Sequence, residues 1–476
     1  MGEPKNIHII GGGTSAHIAN HLALTAPAYG KTARQLSVIC RDHEDNKLIT
    51  PGGPGDSLTY WSNKLTVNLH LTKMAGNAAF DNAYSQHGHD FQEIHGLYEK
   101  GLETNEDIAR LVDAMVADPK TKMIFFNCAL VDFEPDFVAI DRRNRRHHFV
   151  QPEDHIRKTE FGKHSRRLKT KDTDQIHITA KPSEKILKRI RATRKDIFLV
   201  AFKTTCGATE QEQYLAGLDL LKKNSCNLVL ANDTKTRTNM IITPEEAAYC
   251  VTTDRSLVLR ELVSMALRRS HLSFTQSTVV EGTPISWDDP RVPDSLRRVV
   301  NWCIQRGAYK PFNGATVGHF AVKLSDTEFL TSIRRSNFND LPKVGLVYVR
   351  TDGPDTVLAY GAKPSVGGQS QRIIFRDHPG LDCVVHFHCP LKPNHVNDIP
   401  LRSQWAVECG SHQCGQNTSE GLADFGGFKA VMLEQHGPNI VFPADIDPQR
   451  IIGFIEANFD LAAKTGGYQL PQEVKL

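Results

Sequence analysis

The stretch HPGLDCVVHFHCP, His378 to Pro390, sets His386 and His388 two residues apart at the end of an apolar run. Residues so spaced in a strand share a face, so the two imidazoles project side by side in chelating geometry. A third imidazole, His436 in MLEQHGPNIV, follows another apolar strand just ahead of a glycine turn. Three imidazoles with one open position describe a Zn²⁺-type Lewis-acid site, and Fe²⁺, Mn²⁺ or Co²⁺ suit the same donors. Strand histidines also serve as buried hydrogen-bonding residues, so the pair gains meaning only from its surroundings.

Outward from that pair, the second half opens with a helix, DSLRRVVNWCIQRGAY. It continues through HFAVKLS, EFLTS, VGLVYVRTDG, DCVVHFH and KAVMLEQHG as short strands, and closes on the helix DPQRIIGFIEANFDLAAKTG. An α+β or three-layer α/β/α domain over 295–476 is expected. The segment STVVEGTPISWDDPRVPD, rich in Pro, Gly, Asp and Thr, reads as a linker over 277–294. Ahead of it, residues 1–276 alternate strand-like and helix-like segments, as an open parallel sheet with crossover helices would. There NIHIIGGGT reads as strand and tight turn, SAHIANHLALT as helix, QLSVIC as a second strand, and KMIFFNCALVDFEP, DIFLVAFKTT and CNLVLAND as later strands. Gly11, Gly13 and Ala16 form GxGxxA between the first strand and that helix, where a helix N-terminus can receive phosphates. Arg41 after the second strand favours a phosphorylated ribose, so an NADP-binding oxidoreductase joined to a metal lyase is one reading.

From its opening helix through NGATVGHFAVKL, AKPS, HPGLDCVVHFH and EQHGPNIV, the second half resembles the class II aldolase/adducin family. The resemblance implies a divalent ion, most simply Zn²⁺, on His386, His388 and His436. It also implies C–C cleavage or epimerisation of a phosphorylated or carboxylated hydroxyketone, and a homo-oligomer such as a tetramer. It places substrate contacts at Gly314 and Thr316, at Thr331, Ser332 and Arg334, and at Ser365. Gly318-His319 stands where Gly-Asn is usual. After Pro-Ser the family's enzymes carry a Glu or Asp that moves a proton, whereas this chain has Gly367. Proton transfer would fall to Glu408, Glu434, His412 or Lys363. The adducins use this fold as a non-catalytic interaction module, a further reading against which the three retained histidines weigh.

The first half, through FFNCALVDFEP, KPSEKILKRI, IFLVAFKTT and CNLVLANDTKTRTNMIIT, resembles the phosphopantothenate–cysteine ligase family. This implies a Rossmann-like domain that binds CTP or ATP to activate a carboxylate. The implied contacts are Gly11, Gly12, Gly13, Thr14, Asp132, Phe202, Asn232 and Asp233, with Arg167 and Lys169 near the family's phosphate-contacting lysine. The family's Asn-x-Ser-Ser-Gly loop is missing after GGGT.

Composition sets the frame. A chain of 476 residues exceeds one ordinary core, and 40% apolar with 23% charged residues is typical of packed domains. No apolar run approaches the roughly 18 residues of a membrane span. MGEPKN leads straight into IHII without the features of a signal peptide, and ten scattered cysteines read as reduced thiols, so a cytoplasmic protein is expected. A net charge of +3 does not argue for nucleic acid. Eleven Lys or Arg between Arg142 and Asp172 form either a solvated flap or a surface for a phosphate-rich ligand.

Overall fold

A computed structural model of the chain describes residues 5–44, 65–76, 102–141, 156–172, 175–365 and 368–470. Packing gathers two compact units, Met1–Phe202 with Lys223–Asn227, and Lys203–Lys222 with Leu228–Leu476. Residues 228–276, grouped with the first half in the sequence, therefore pack within the second unit.

In the first unit, β1 (Lys5–Gly13) lies between β4 (Leu65–Leu71) and β5 (Thr121–Ala129), and β9 (Phe198–Thr205) adds to β5, all parallel. Ile7, Ile9 and Ile10 are all buried, the near-continuous apolar run of a strand covered on both faces. The helix Asn105–Ala117 starts on a reciprocal capping box between Thr104 and Asp107. This is the Rossmann-like parallel arrangement expected.

Two local expectations are overturned. SAHIANHLALT is a hairpin of β2 (Ser15–Ala19) and β3 (Leu22–Thr25), not a helix. The hydroxyl of Thr14, which would cap a helix there, instead donates to Asn105 Oδ1 at 2.6 Å and accepts from the Val131 N–H at 2.9 Å. QLSVIC, expected as a strand, lies inside the helix Lys31–Glu44. Ala33, Leu36, Ser37 and Cys40 recur at helical spacing and are all buried, so the longer periodicity prevails over the β-branched Val38 and Ile39 in the short excerpt. A separate antiparallel sheet runs β7 (Ile156–Lys158), β6 (Phe133–Asp141), β8 (Gln175–Pro182). Of the basic stretch, residues 142–155 lie outside the described residues.

In the second unit β10 (Leu228–Asp233), β11 (Asn239–Ile242) and β12 (Ala248–Thr252) pair antiparallel. A larger sheet carries the order β13-β19-β18-β17-β16-β20-β24-β23-β21. These are β13 (Gln276–Val280), β16 (His319–Lys323), β17 (Glu328–Ser332), β18 (Leu346–Thr351), β19 (Thr356–Tyr360), β20 (Cys383–His386), β21 (Leu401–Arg402), β23 (Lys429–Leu433) and β24 (Gly437–Phe442). The expected linker thus supplies most of β13, which pairs parallel with β19.

Alternation along the strands feeds both faces of this sheet. Phe320, Val322 and Val385 join Leu296, Val299, Ile451 and Ile455 from the helices Asp294–Gln305 and Pro448–Asn458 in one core. Ala321 and Val384 face the other way, with Ile374 and Phe375 of the helix Gly368–Asp377. The three-layer expectation holds. Among the described residues no helix is long and apolar enough to cross a membrane.

Candidate metal centre

His386 ends β20, and with Phe387 directed into the core, His388 falls on the same side as His386. His436 enters from the turn before β24, where Gln435 has φ 54° and Gly437 φ 147°. A Cβ on Gly437 would lie 2.0 Å from the Phe387 carbonyl, so glycine is what lets the turn close on the His-Phe-His segment. The ring centroids form a triangle of 5.0, 4.5 and 4.8 Å, and one ring nitrogen from each histidine lies within 4.8 Å of the others.

The other ring nitrogens define the tautomers. His386 Nδ1–H donates to the Pro438 carbonyl at 2.8 Å, and His388 Nδ1–H to Glu246 Oε2 at 2.8 Å. This directs Nε2 of each ring away from those partners and leaves that of His386 as a lone pair. His386 Nε2 and His436 Nε2 stand 3.2 Å apart. Two nitrogens bound tetrahedrally at about 2.0–2.1 Å from one ion would be separated by roughly 3.3 Å. Burial, then the charges of neighbouring imidazoles, hold His386 and His436 well below the ordinary histidine range, so both are neutral at physiological pH. Buried, neutral, convergent imidazoles fit a divalent ion.

A fourth imidazole adjoins them. His319 pairs with His386 across β16 and β20, with ring centroids 4.7 Å apart, and burial followed by His388 lowers its pKa to about 3. Its Nδ1 accepts from the Gln371 amide at 2.9 Å, so its proton sits on Nε2. In the sequence His319 stood only as a departure from Gly-Asn. Gly318, at φ 115°, has no room for a Cβ, which would meet the His386 carbonyl at 2.6 Å.

The acid in contact with these imidazoles is one the sequence did not single out. Glu246 sits in the turn between β11 and β12, with Oε1 2.7 Å from Lys222 Nζ and Oε2 on His388. Burial pushes its pKa up, but Lys222, His388 and Lys464 outweigh that, and the carboxylate stays ionised. TPEEAA carries no periodicity or spacing that ties it to a histidine 142 residues away. Of the expected acid–base groups, Glu408 is buried and its carbonyl accepts from Ser411, while Glu434 is half-buried with its N–H on the Arg402 carbonyl. His412 turns its Nε2 to Thr275 at 3.1 Å and Asp355 at 3.4 Å, and Lys363 accepts at its carbonyl from the Arg334 N–H. Gly367 lies outside the described residues.

The expected substrate contacts divide into occupied and available groups. Asn313 at φ 50° and Gly314 at φ 76° make the two-residue hairpin turn between Pro311–Phe312 and Ala315–Thr316. The Thr316 hydroxyl accepts from the Phe338 N–H, and the Thr331 hydroxyl donates to the Phe320 carbonyl. By contrast, the buried hydroxyls of Ser332 and Ser365 have no hydrogen-bond partner among the described residues, though the two residues adjoin through Ser365 N–H on the Ser332 carbonyl at 3.0 Å. Burial, then Arg335, depress the Arg334 pKa.

In the first unit, Gly11, Gly12 and Gly13 belong to β1 itself, and the hairpin that follows removes the strand-to-helix geometry expected for dinucleotide phosphates. Cβ atoms at Gly11 and Gly13 would meet Ala33 Cβ at 2.2 Å and the Ala26 carbonyl at 1.7 Å, so the glycines serve close chain approach. Arg41 sits in the last turn of the helix Lys31–Glu44 rather than after a strand. Asp132 pairs with Lys185 at 2.8 Å, Phe202 is half-buried near the end of β9, and Arg167 and Lys169 are exposed. Near the glycine run, Glu103 gathers His17, Lys73 and Lys163 within 3.0 Å. Burial raises the Glu103 pKa, but these partners outweigh it and bring it to about 2. In the second unit Asn232 Oδ1 accepts from Thr204, and the Asp233 carboxylate accepts from the N–H groups of Gly207, Ala208, Lys235 and Thr236. Asp233 is thus an organiser of the loop after β9.

No family model matches the chain, and no curated protein matches it. Similar solved structures fall into two groups, the same two as the resemblances read in the sequence. A DNA/pantothenate metabolism flavoprotein from Streptococcus pneumoniae is 16% identical, with 55% of this chain and 98% of that chain covered and a TM-score of 0.37. YgbL from Escherichia coli, for which aldolase, epimerase or decarboxylase activity has been suggested, is 21% identical over 34% of this chain and 84% of its own, with a TM-score of 0.26. An L-fuculose 1-phosphate aldolase is 16% identical over 34% of this chain and 82% of its own, also with a TM-score of 0.26. The chain is similar to a pantothenate-pathway flavoprotein and to class II aldolase-like proteins.

Proposed function

We propose that the protein is a bifunctional small-molecule enzyme, a divalent-metal lyase or epimerase of the class II aldolase type joined to a nucleotide-binding, carboxylate-activating part. The observation that carries the first activity is the convergence of the buried imidazoles of His386, His388 and His436, two of them with Nδ1 engaged elsewhere. His386, His388 and His436 would hold a divalent ion such as Zn²⁺, which when bound would supply Lewis acidity toward the carbonyl of a hydroxyketone.

The chain's own side chains supply the remaining tasks. Ser332 and Ser365 offer hydroxyls without a partner among the described residues and Arg334 a guanidinium, which suits a phosphate or carboxylate on the substrate. His319, protonated on Nε2, offers an N–H donor beside His386. Glu408, Glu434 and His412 stand as the proton carriers, Glu434 two residues from His436. CTP or ATP would bind the part similar to the ligases, the homo-oligomer follows the aldolase resemblance, and the cytoplasmic location follows the scattered cysteines.

Elemental analysis of protein purified without added metal tests the first activity. Near one divalent ion per chain in the wild type, and close to none in His386→Ala/His388→Ala, is expected. Metal-free wild type that stays so after reconstitution with Zn²⁺, Mn²⁺ and Co²⁺ would overturn it.

A further inference from the structure

We propose that Glu246 is the positioning residue of the metal centre: its carboxylate fixes the ring and tautomer of His388, so that part of the site is built by the turn between β11 and β12. The inference rests on the metal reading above and adds a residue outside the stretch that resembles the aldolases.

The turn Thr243–Ala247 is held from several directions. Glu246 adopts φ 65°, a left-handed conformation that side chains with a Cβ rarely take and that persists where the surroundings over-determine it. Its N–H donates to the Thr243 carbonyl, and its own carbonyl accepts from the Tyr214 hydroxyl at 2.7 Å and Lys464 Nζ at 2.9 Å. The neighbouring Glu245 forms a fully buried ion pair with Arg269, whose guanidinium also donates to the carbonyls of Gln404 and Trp405. Both oxygens of Glu246 are then committed, one to Lys222 and one to His388.

The ligand side is held to match. Thr465 N–H donates to the His388 carbonyl at 3.2 Å and Thr465 Oγ1 to the His436 carbonyl at 2.9 Å. With backbone and Nδ1 both fixed, the only freedom left to the His388 ring is the direction of Nε2, and that direction is toward the other imidazoles. An ionised partner on Nδ1 also makes the far nitrogen a stronger donor to a cation, which a neutral carbonyl does less well. His436, whose Nδ1 has no hydrogen-bond partner among the described residues, lacks such support.

The test is a competition titration of Zn²⁺ against a chromophoric chelator on metal-free full-length protein, with thermal unfolding recorded with and without Zn²⁺. Glu246→Gln keeps the volume and an acceptor for His388 but removes the charge, and should weaken Zn²⁺ binding by about 10- to 100-fold. Lys222→Met leaves the carboxylate without its nearest cation, so the metal-free protein should melt lower and gain more from Zn²⁺ than the wild type does. A merely structural ion pair would lower stability in both variants alike and leave both affinities and Zn²⁺-induced shifts as in the wild type. Glu246→Gln binding within twofold of the wild type would overturn the proposal. Were that variant not to fold, a Zn²⁺-induced shift in Lys222→Met no larger than in the wild type would do the same. Wild type that binds no Zn²⁺ would overturn the metal reading itself, a result separate from either.

Discussion

The glycine run ending β1 and the histidine pair ending β20 are both short motifs at the end of a strand, yet the structure treats them differently. At Gly11–Gly13 the chain continues into a hairpin, and the missing side chains admit Ala33 and the Ala26 carbonyl. At His386 and His388 the period of two survives the strand end because Phe387 is locked in the core between them. The difference lies in what each motif requires of its neighbours. A phosphate-binding turn needs a helix to follow, which a remote contact at Thr14 pre-empts, whereas a shared face needs only extended backbone.

Gly437→Ala should break the histidine side most severely. With φ 147° and the Phe387 carbonyl 2.0 Å from the new Cβ, the turn carrying His436 must move. A loss of about 3 kcal/mol or more in denaturant unfolding is expected, with Zn²⁺ content falling with it. Gly13→Ala is its counterpart, its Cβ 1.7 Å from the Ala26 carbonyl. It should cost roughly 1–3 kcal/mol in the first unit while Zn²⁺ content, read by elemental analysis, stays at the wild-type level. Loss of metal in that variant would break the contrast.

A pH series sharpens the comparison from the side of the buried imidazoles. In the first unit His8 and His70 share a hydrogen bond at 3.2 Å. Burial lowers His8 to about 4, against a smaller opposing effect of Asp118, and burial with His8 lowers His70 to about 3. Below about 6.5 the unfolded chain takes up protons that the folded one refuses, so stability falls as pH drops from about 6.5 toward 4. Urea midpoints across that range should decline, and His70→Gln should make the decline shallower. A slope unchanged by His70→Gln would place the acid sensitivity elsewhere.

The smallest effect belongs to Gly314→Ala. No atom lies within 4 Å of the added Cβ, so only the φ of 76° counts, and about 1 kcal/mol is expected from thermal unfolding. A larger loss would give the Asn313-Gly314 turn a role beyond its backbone.

Where the strands of the second unit alternate cleanly, as in DCVVHFH and HFAVKLS, the three-layer arrangement was legible, because each face meets a helix with its own apolar stripe. Where a segment is short and ambiguous, local pattern failed. SAHIANHLALT read as helix is a hairpin, and QLSVIC reads as a strand until Ala33, ahead of it, extends the helical spacing of Leu36, Ser37 and Cys40. Ser332 and Ser365 were legible through resemblance, but that their hydroxyls lack partners, while that of Thr331 does not, is a matter of packing.

The sequence by itself determined which groups gather at the candidate site: three imidazoles, placed by strand periodicity and by a glycine that lets the last one approach. Only the tertiary structure decided which nitrogen of each ring faces the others. A tautomer is set by the partner of the opposite nitrogen, and those partners, the Pro438 carbonyl and the Glu246 carboxylate, lie 52 and 142 residues away along the chain.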